Sequence, residues 1–170
     1  MSDRKPSGPR TVALVGPYLS GKTTLLESLL FATGAIARKG TVGERNTVGD
    51  SSPEARERQM TVELNAATTT FMGDTFTFLD CPGSIEFLQE TANALLGADA
   101  AVVVCEADPA RVLNLGPILQ FLDAQHIPHF LFVNKIDKAS GQVRDLLAAL
   151  QTVSGVPLVL RQVPIRDGDA

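Results

Sequence analysis

Cysteine is scarce in this 170-residue chain, basic charge does not dominate it, and no apolar run is long enough to cross a bilayer. Each shortage excludes something. Two cysteines, Cys81 and Cys105, each end an apolar strand-like run. They rule out a disulfide scaffold and fit two buried, reduced thiols better than a metal pair. A net charge of −4 and a pI of about 5.1 exclude the strongly basic footprint of a nucleic-acid-binding surface, so direct DNA binding is not expected. Met1 to Pro9 is polar and lacks the apolar stretch of a secretion signal; residues 1–10 read as a disordered leader. No membrane attachment is expected. There is no internal repeat and no low-complexity segment. What remains is 44% apolar, enough for one globular domain with a real core.

The apolar pattern alternates between strand-like and helical stretches. Thr11–Gly16 reads as a buried strand, and Thr23–Thr33 as a helix with Leu25, Leu26, Leu29 and Leu30 on its apolar face, stopped at Gly34. From Ala35 to about Met60 glycines, charges and Pro53 break any period, although Ser52-Pro53 could open a short helix; a connection this long is usually functional or mobile. Thr61–Phe71 and Thr75–Asp80 form a hairpin around Gly73-Asp74. Ser84–Leu96 is helical, with Ile85, Leu88, Ala92, Leu95 and Leu96 on one face. The strand Ala100–Cys105 follows. Next comes a helix over Ala110–Gln125, in which Pro117 marks a kink or a late start. The strand His129–Val133, the helix Gln142–Thr152 and a short strand Val156–Leu160 complete the pattern. The order predicts an α/β fold: a doubly wound, mostly parallel sheet with one antiparallel hairpin strand and helices on both faces. Ligand loops then gather at the carboxyl ends of the strands.

Three motifs sit at those ends. The spacing Gly16-x-x-x-x-Gly21-Lys22-Thr23 between a strand and a helix is a phosphate-binding loop. Its glycines let backbone N–H groups converge on phosphate oxygens at a helix N-terminus, together with Ser20 and Thr24. Lys22 would reach the β- and γ-phosphates, and the Thr23 hydroxyl would hold Mg²⁺. Asp80-Cys81-Pro82-Gly83 closes the second hairpin strand. Asp80 can hold Mg²⁺ through water, and the Gly83 N–H can bond a γ-phosphate. By itself such a tetrapeptide is common turn chemistry. Asn134-Lys135-Ile136-Asp137 closes a later strand. The Asp137 carboxylate can accept two N–H bonds from guanine, which adenine does not offer, giving discrimination of ~10⁴ or more. The Lys135 stem can lie over the base, and Asn134 can bridge the loops. Thr61, ahead of the Asp80 strand, is placed to offer a second hydroxyl to Mg²⁺; a plain strand threonine is the competing reading.

These features, in this order, resemble the translation-factor GTPases, whose fold is the P-loop G-domain. Leu30-Phe31-Ala32-Thr33-Gly34-Ala35-Ile36, Gly40-Thr41-Val42, Asp50, Glu57-Arg58 and Pro82-Gly83-Ser84-Ile85-Glu86-Phe87 look like the N-terminal domain of elongation factor G. They resemble most its bacterial elongation factor G-like paralogues, and the likeness runs from Val12 to about Ile165. It implies a GTP-binding domain over 11–155, with switch I about 38–62 and switch II about 80–92. It also implies GTP/GDP and Mg²⁺ binding, GTP hydrolysis involving Lys22, Thr61, Gly83 and position 84, a ribosomal partner and a cytoplasmic location. The chain departs from the family at four places. Ser84 stands where these factors carry a water-positioning His, a change worth roughly 10²–10⁴ in rate. His126 and His129 lie at the opposite end of their strand and do not replace it. Leu19 replaces an Asp and Gln59 a Gly. No Ser-Ala guanine-contacting motif follows Asn134, so the last strand of the sheet is expected to be missing and 156–170 reads as the start of an insertion in a longer chain. Two alternatives stay open: a GTP-binding switch with little hydrolysis, and a P-loop ATPase or kinase.

Overall fold

The computed structural model describes residues 8–44, 46–48, 64–84, 88–139 and 141–164. The helix expected at Ser52-Pro53, the hydroxyl of Thr61, and Ile85 lie outside these residues. Five strands form one sheet. β1 (Arg10–Val15) is central, between β3 (Asp74–Asp80) and β4 (Ala100–Glu106), both parallel to it. β2 (Asn65–Phe71) runs antiparallel to β3, and β5 (His129–Asn134) parallel to β4, giving the order β2-β3-β1-β4-β5. The chain leaves β1 for one side of the sheet and later returns to the other. That is the switch point where open α/β sheets leave a crevice at the strands' carboxyl ends. The register aligns those ends: Leu14 lies opposite Asp80 and Val102, and Glu106 opposite Asn134.

The period of two along the strands sorts the core into two layers. Leu14, Phe78 and Val102 face α1 (Lys22–Ala32), whose Leu26 and Leu30 are buried on them. Ala13, Val15, Ala101 and Val103 point the other way. They meet α2 (Leu88–Leu96), a 3₁₀ turn Pro109–Leu115, α3 (Gly116–Ala124) and α4 (Val143–Val153) through Leu95, Leu115, Leu119, Leu122, Leu146 and Leu150. Each of these leucines contributes about 1.5–3 kcal/mol by leaving water. On α2 the buried positions are Thr91, Ala94 and Leu95, whereas Leu96, expected inward, is 62% exposed. Among the described residues β5 forms a sheet edge, with Phe130 and Phe132 exposed on the α1 side.

Local chemistry sets the boundaries. α1 ends in a left-handed Gly34 (φ +76), with Gly34 N–H on Phe31 O at 3.0 Å and Ala35 N–H on Leu30 O at 2.9 Å. These are the two bonds of a Schellman cap. Pro117 lies in the first turn of α3, where its missing N–H is not needed, so the sequence expectation resolves to a late start preceded by the 3₁₀ turn. The Asp108 side chain caps that turn by accepting from Ala110 N–H at 2.9 Å. The long connection after α1 is tied at both described ends. The buried Glu27 carboxylate accepts Gly40 N–H at 2.7 Å and Val48 N–H at 2.6 Å, and Glu90 accepts Leu64 N–H at 2.8 Å.

Two expectations change. Val156–Leu160 joins no ladder. Its backbone is taken by Gln151, whose amide donates to Val156 O and accepts from Leu158 N–H, and Pro157 has no N–H to give. The hairpin turn is Met72-Gly73, one residue earlier than expected, since Phe71 pairs with Asp74. Both turn residues have positive φ (+52 and +87), as a type I′ turn requires. Met72 is 90% exposed, so no packing offsets its left-handed backbone. Met72→Asn should therefore stabilise the fold by up to about 1 kcal/mol, seen as a higher urea midpoint with an unchanged m-value.

Candidate functional site

The site forms where three loops leave β1, β3 and β5. The first, Gly16–Gly21, turns sharply, with positive φ at Gly16 (+136), Leu19 (+61) and Gly21 (+98). Both glycines are required by contact as well as by conformation. A Cβ on Gly16 would run into the Val104 carbonyl oxygen, and one on Gly21 into the Asn134 side-chain amide. α1 starts directly from this loop, with Leu25 N–H on Gly21 O at 2.9 Å. Thr24 is exposed on the first turn and Ser20 is buried.

Lys22 is 6% exposed and folds back over the loop. Its Nζ donates to Gly16 O at 3.0 Å and Pro17 O at 3.1 Å. Burial pulls its pKa below the ordinary lysine range, opposed by the negative charge of Asp80 and by Cys81. A buried ammonium held mainly by neutral carbonyls at the start of a helix favours an anionic ligand.

The second loop, Asp80–Ser84, lies against the first. Asp80 is fully buried and its Oδ2 accepts the Thr23 hydroxyl at 2.7 Å. A Cβ on Gly83 would overlap the Lys22 ammonium and stand 2.9 Å from Tyr18 N, so only glycine allows this turn to pack so closely. Cys81 N–H bonds Leu14 O at 3.1 Å, and Pro82 O accepts Thr91 Oγ1 at 3.2 Å. Ser84 is half-buried at the end of the turn. The pair Thr23–Asp80 is a hard-oxygen donor set that suits Mg²⁺. Among the described residues no group of three or more His, Cys, Asp or Glu side chains gathers as a metal cage. A divalent ion here would take its other ligands from water and a bound phosphate, as Mg²⁺ does.

The third loop follows β5. Asn134 Nδ2 donates to Ser20 O at 2.9 Å. Lys135, left-handed at φ +55, donates from Nζ to Leu19 O at 2.7 Å and to the Glu106 carboxylate. Asp137 stands on the short 3₁₀ turn Ile136–Lys138, exposed and without a hydrogen bond or ion pair among the described residues. Asn134 and Lys135 are thus brought onto the Gly16–Gly21 loop across 114 and 116 positions of sequence, while Thr61 lies outside the described residues. Sequence reasoning missed Glu106 and Glu27. The signal for each was a carboxylate inside an otherwise apolar run. The histidines stay away: His129 opens β5 at its far end, with Nδ1 3.0 Å from Ile127 O.

The comparisons agree with this geometry. Residues 8–162 match the family model of the elongation factor Tu GTP binding domain. The chain belongs to that family. It is 54% identical over 160 residues to an elongation factor G-like protein of Synechocystis sp., covering 94% of this chain and 24% of that one. It is 31% identical to peptide chain release factor 3 of Lactococcus lactis, over 94% of this chain and 31% of that protein. A crystal structure from Thermus thermophilus superposes with a TM-score of 0.78 at 39% identity, over 84% of this chain and 22% of that chain. The chain therefore spans less than a third of the length of these relatives. No described helix is long and apolar enough to cross a membrane.

Cys81 and Cys105 are free, buried thiols, as their strand-end positions suggested. Burial, with Asp80 next in weight, pushes Cys81 from 9.0 up to about 12, and burial pushes Cys105 up to about 11. Below pH 9 both folded and unfolded chains hold the proton. Above it the unfolded chain releases it first, so the stabilisation is lost as pH rises towards the folded values. The unfolding free energy from urea titrations should fall between pH 9 and 11, by up to about 1.4 kcal/mol per pH unit for each thiol. Cys81→Ala should flatten that fall.

Proposed function

We propose that this domain binds GTP with Mg²⁺ and hydrolyses it to GDP and phosphate, as the motor of a cytoplasmic, ribosome-associated factor. One observation carries the reading. The loop bearing Asp137 is tied directly to the phosphate loop through Asn134 and Lys135, while the Asp137 carboxylate itself is free to take a ligand. A free carboxylate at a fixed distance from a phosphate cradle selects a base with two adjacent N–H donors, which is guanine. Lys22 and the loop N–H groups take the phosphate charge. Thr23 and Asp80 would hold Mg²⁺, with Thr61 as a further hydroxyl. That ion, when bound, neutralises charge building on the phosphate oxygens. Gly83 N–H would bond the γ-phosphate.

A second reading is favoured by one residue. Ser84 has neither the reach nor the proton affinity of an imidazole, and neither described histidine lies near the site. On that reading the domain is a GTP-dependent switch that hydrolyses slowly. Single-turnover hydrolysis by the full-length protein, with and without ribosomes, separates the two; absence of ribosomal stimulation removes the translation-type GTPase reading. Ser84→His should raise the stimulated rate by roughly 10²–10⁴ if water positioning is what the serine lacks. GTP should displace a labelled guanine nucleotide far better than ATP, and Asp137→Asn should transfer preference to xanthosine nucleotides. Equal competition by ATP would overturn the base assignment.

A further inference from the structure

Glu106 is the last residue of β4 and lies in register with Asn134, the last residue of β5 and the one before Lys135. One carboxylate oxygen accepts Lys135 Nζ, and the other accepts Arg111 Nη1 at 2.7 Å. Arg111 comes from the 3₁₀ turn after β4 and also lies 3.6 Å from Asp108. The Glu106 side chain is only 14% exposed and Lys135 is 34% exposed. Glu106 is thus a partly desolvated carboxylate with a cation on each oxygen.

The geometry points to Glu106 as a positioning residue for guanine-nucleotide retention, acting through Lys135. This rests on the reading that the base lies along the Lys135 stem. A lysine stem is flexible, and the neutral Leu19 carbonyl alone is a weak anchor for an ammonium. With Glu106 added, the ammonium has a charge-assisted bond on one side and the phosphate-loop carbonyl on the other. The stem is then laid out before any ligand arrives, and less freedom is lost on binding. Arg111 keeps the carboxylate turned towards Lys135 by holding its second oxygen. Loss of a partner in such a pair acts mainly on dissociation.

The test is stopped-flow release of fluorescently labelled GDP from the full-length protein. Glu106→Gln is expected to speed release by about tenfold. Arg111→Ala, a variant at a half-exposed site, is expected to speed it by a smaller factor. In a Lys135→Ala background neither change should add anything, which a general loosening of the fold would not reproduce. Release at the wild-type rate in both variants overturns the proposal, and so does an undiminished effect in the Lys135→Ala background. A wild-type protein that takes up no labelled GDP removes the guanine reading and this proposal with it, whereas normal uptake with unchanged release removes only this proposal.

Discussion

The site depends on how closely three backbones approach one another. Gly16 rests on the Val104 carbonyl, Gly21 on the Asn134 amide and Gly83 on the Lys22 ammonium, each too near for a β-carbon. These contacts join segments from β1, β3, β4 and β5. The parallel register of the sheet therefore sets the spacing between the Gly16–Gly21 loop and the loop that follows β5. Side chains then lock that spacing. Asn134 and Lys135 reach back to Ser20 and Leu19, and Thr23 crosses to Asp80. A ligand that touches both loops meets a distance decided by strand pairing, which is among the stiffest features of a fold.

Charge inside this arrangement is distributed unevenly. Lys22 and Asp80 are both buried, yet the lysine donates to two backbone carbonyls and the aspartate accepts from a hydroxyl. Neutral carbonyls cancel little of the ammonium charge, which the buried Asp80 carboxylate offsets only in part, and a carboxylate beside a hydroxyl suits a cation. At the loop after β5 the pattern reverses. Lys135 is fully engaged while Asp137 is left to solvent. The two lysines thus have different roles. Lys22 is held by neutral carbonyls alone, and Lys135 spans a carbonyl and a carboxylate.

Much of this was legible in the sequence because the signals are local. Glycines at fixed spacing, an apolar strand before them and a helical period after them can be satisfied in few ways, and the order of strands and helices followed. The misreadings came where the deciding partner was remote or absent. Gly73 permits a turn on either side of it, and cross-strand pairing, not composition, chose Met72-Gly73. Val156–Leu160 has the apolar content of a strand, but Gln151 occupies its backbone. Leu96 fits a helical stripe, yet the positions that α2 turns inward are Thr91, Ala94 and Leu95, and the helix ends at Leu96. Glu106 and Glu27 were overlooked because a carboxylate declares its role only through the groups it meets, and those lie far away in sequence. The roles of Thr61 and Ser84 belong to chemistry with nucleotide present, which neither pattern nor packing specifies.

The two carboxylates that hold the long connection have a mechanical consequence. Glu27 grips the chain up to Val48, and Glu90 grips it again at Leu64. Glu27 rides on the helix that begins with Lys22 and Thr23, and Glu90 on the helix that follows Gly83. The two anchoring carboxylates thus ride on the two helices that flank the Lys22–Gly83 contact. Any shift between those two helices is therefore passed straight to the backbone at Val48 and at Leu64, as a change in the gap between two clamps moves what each one holds.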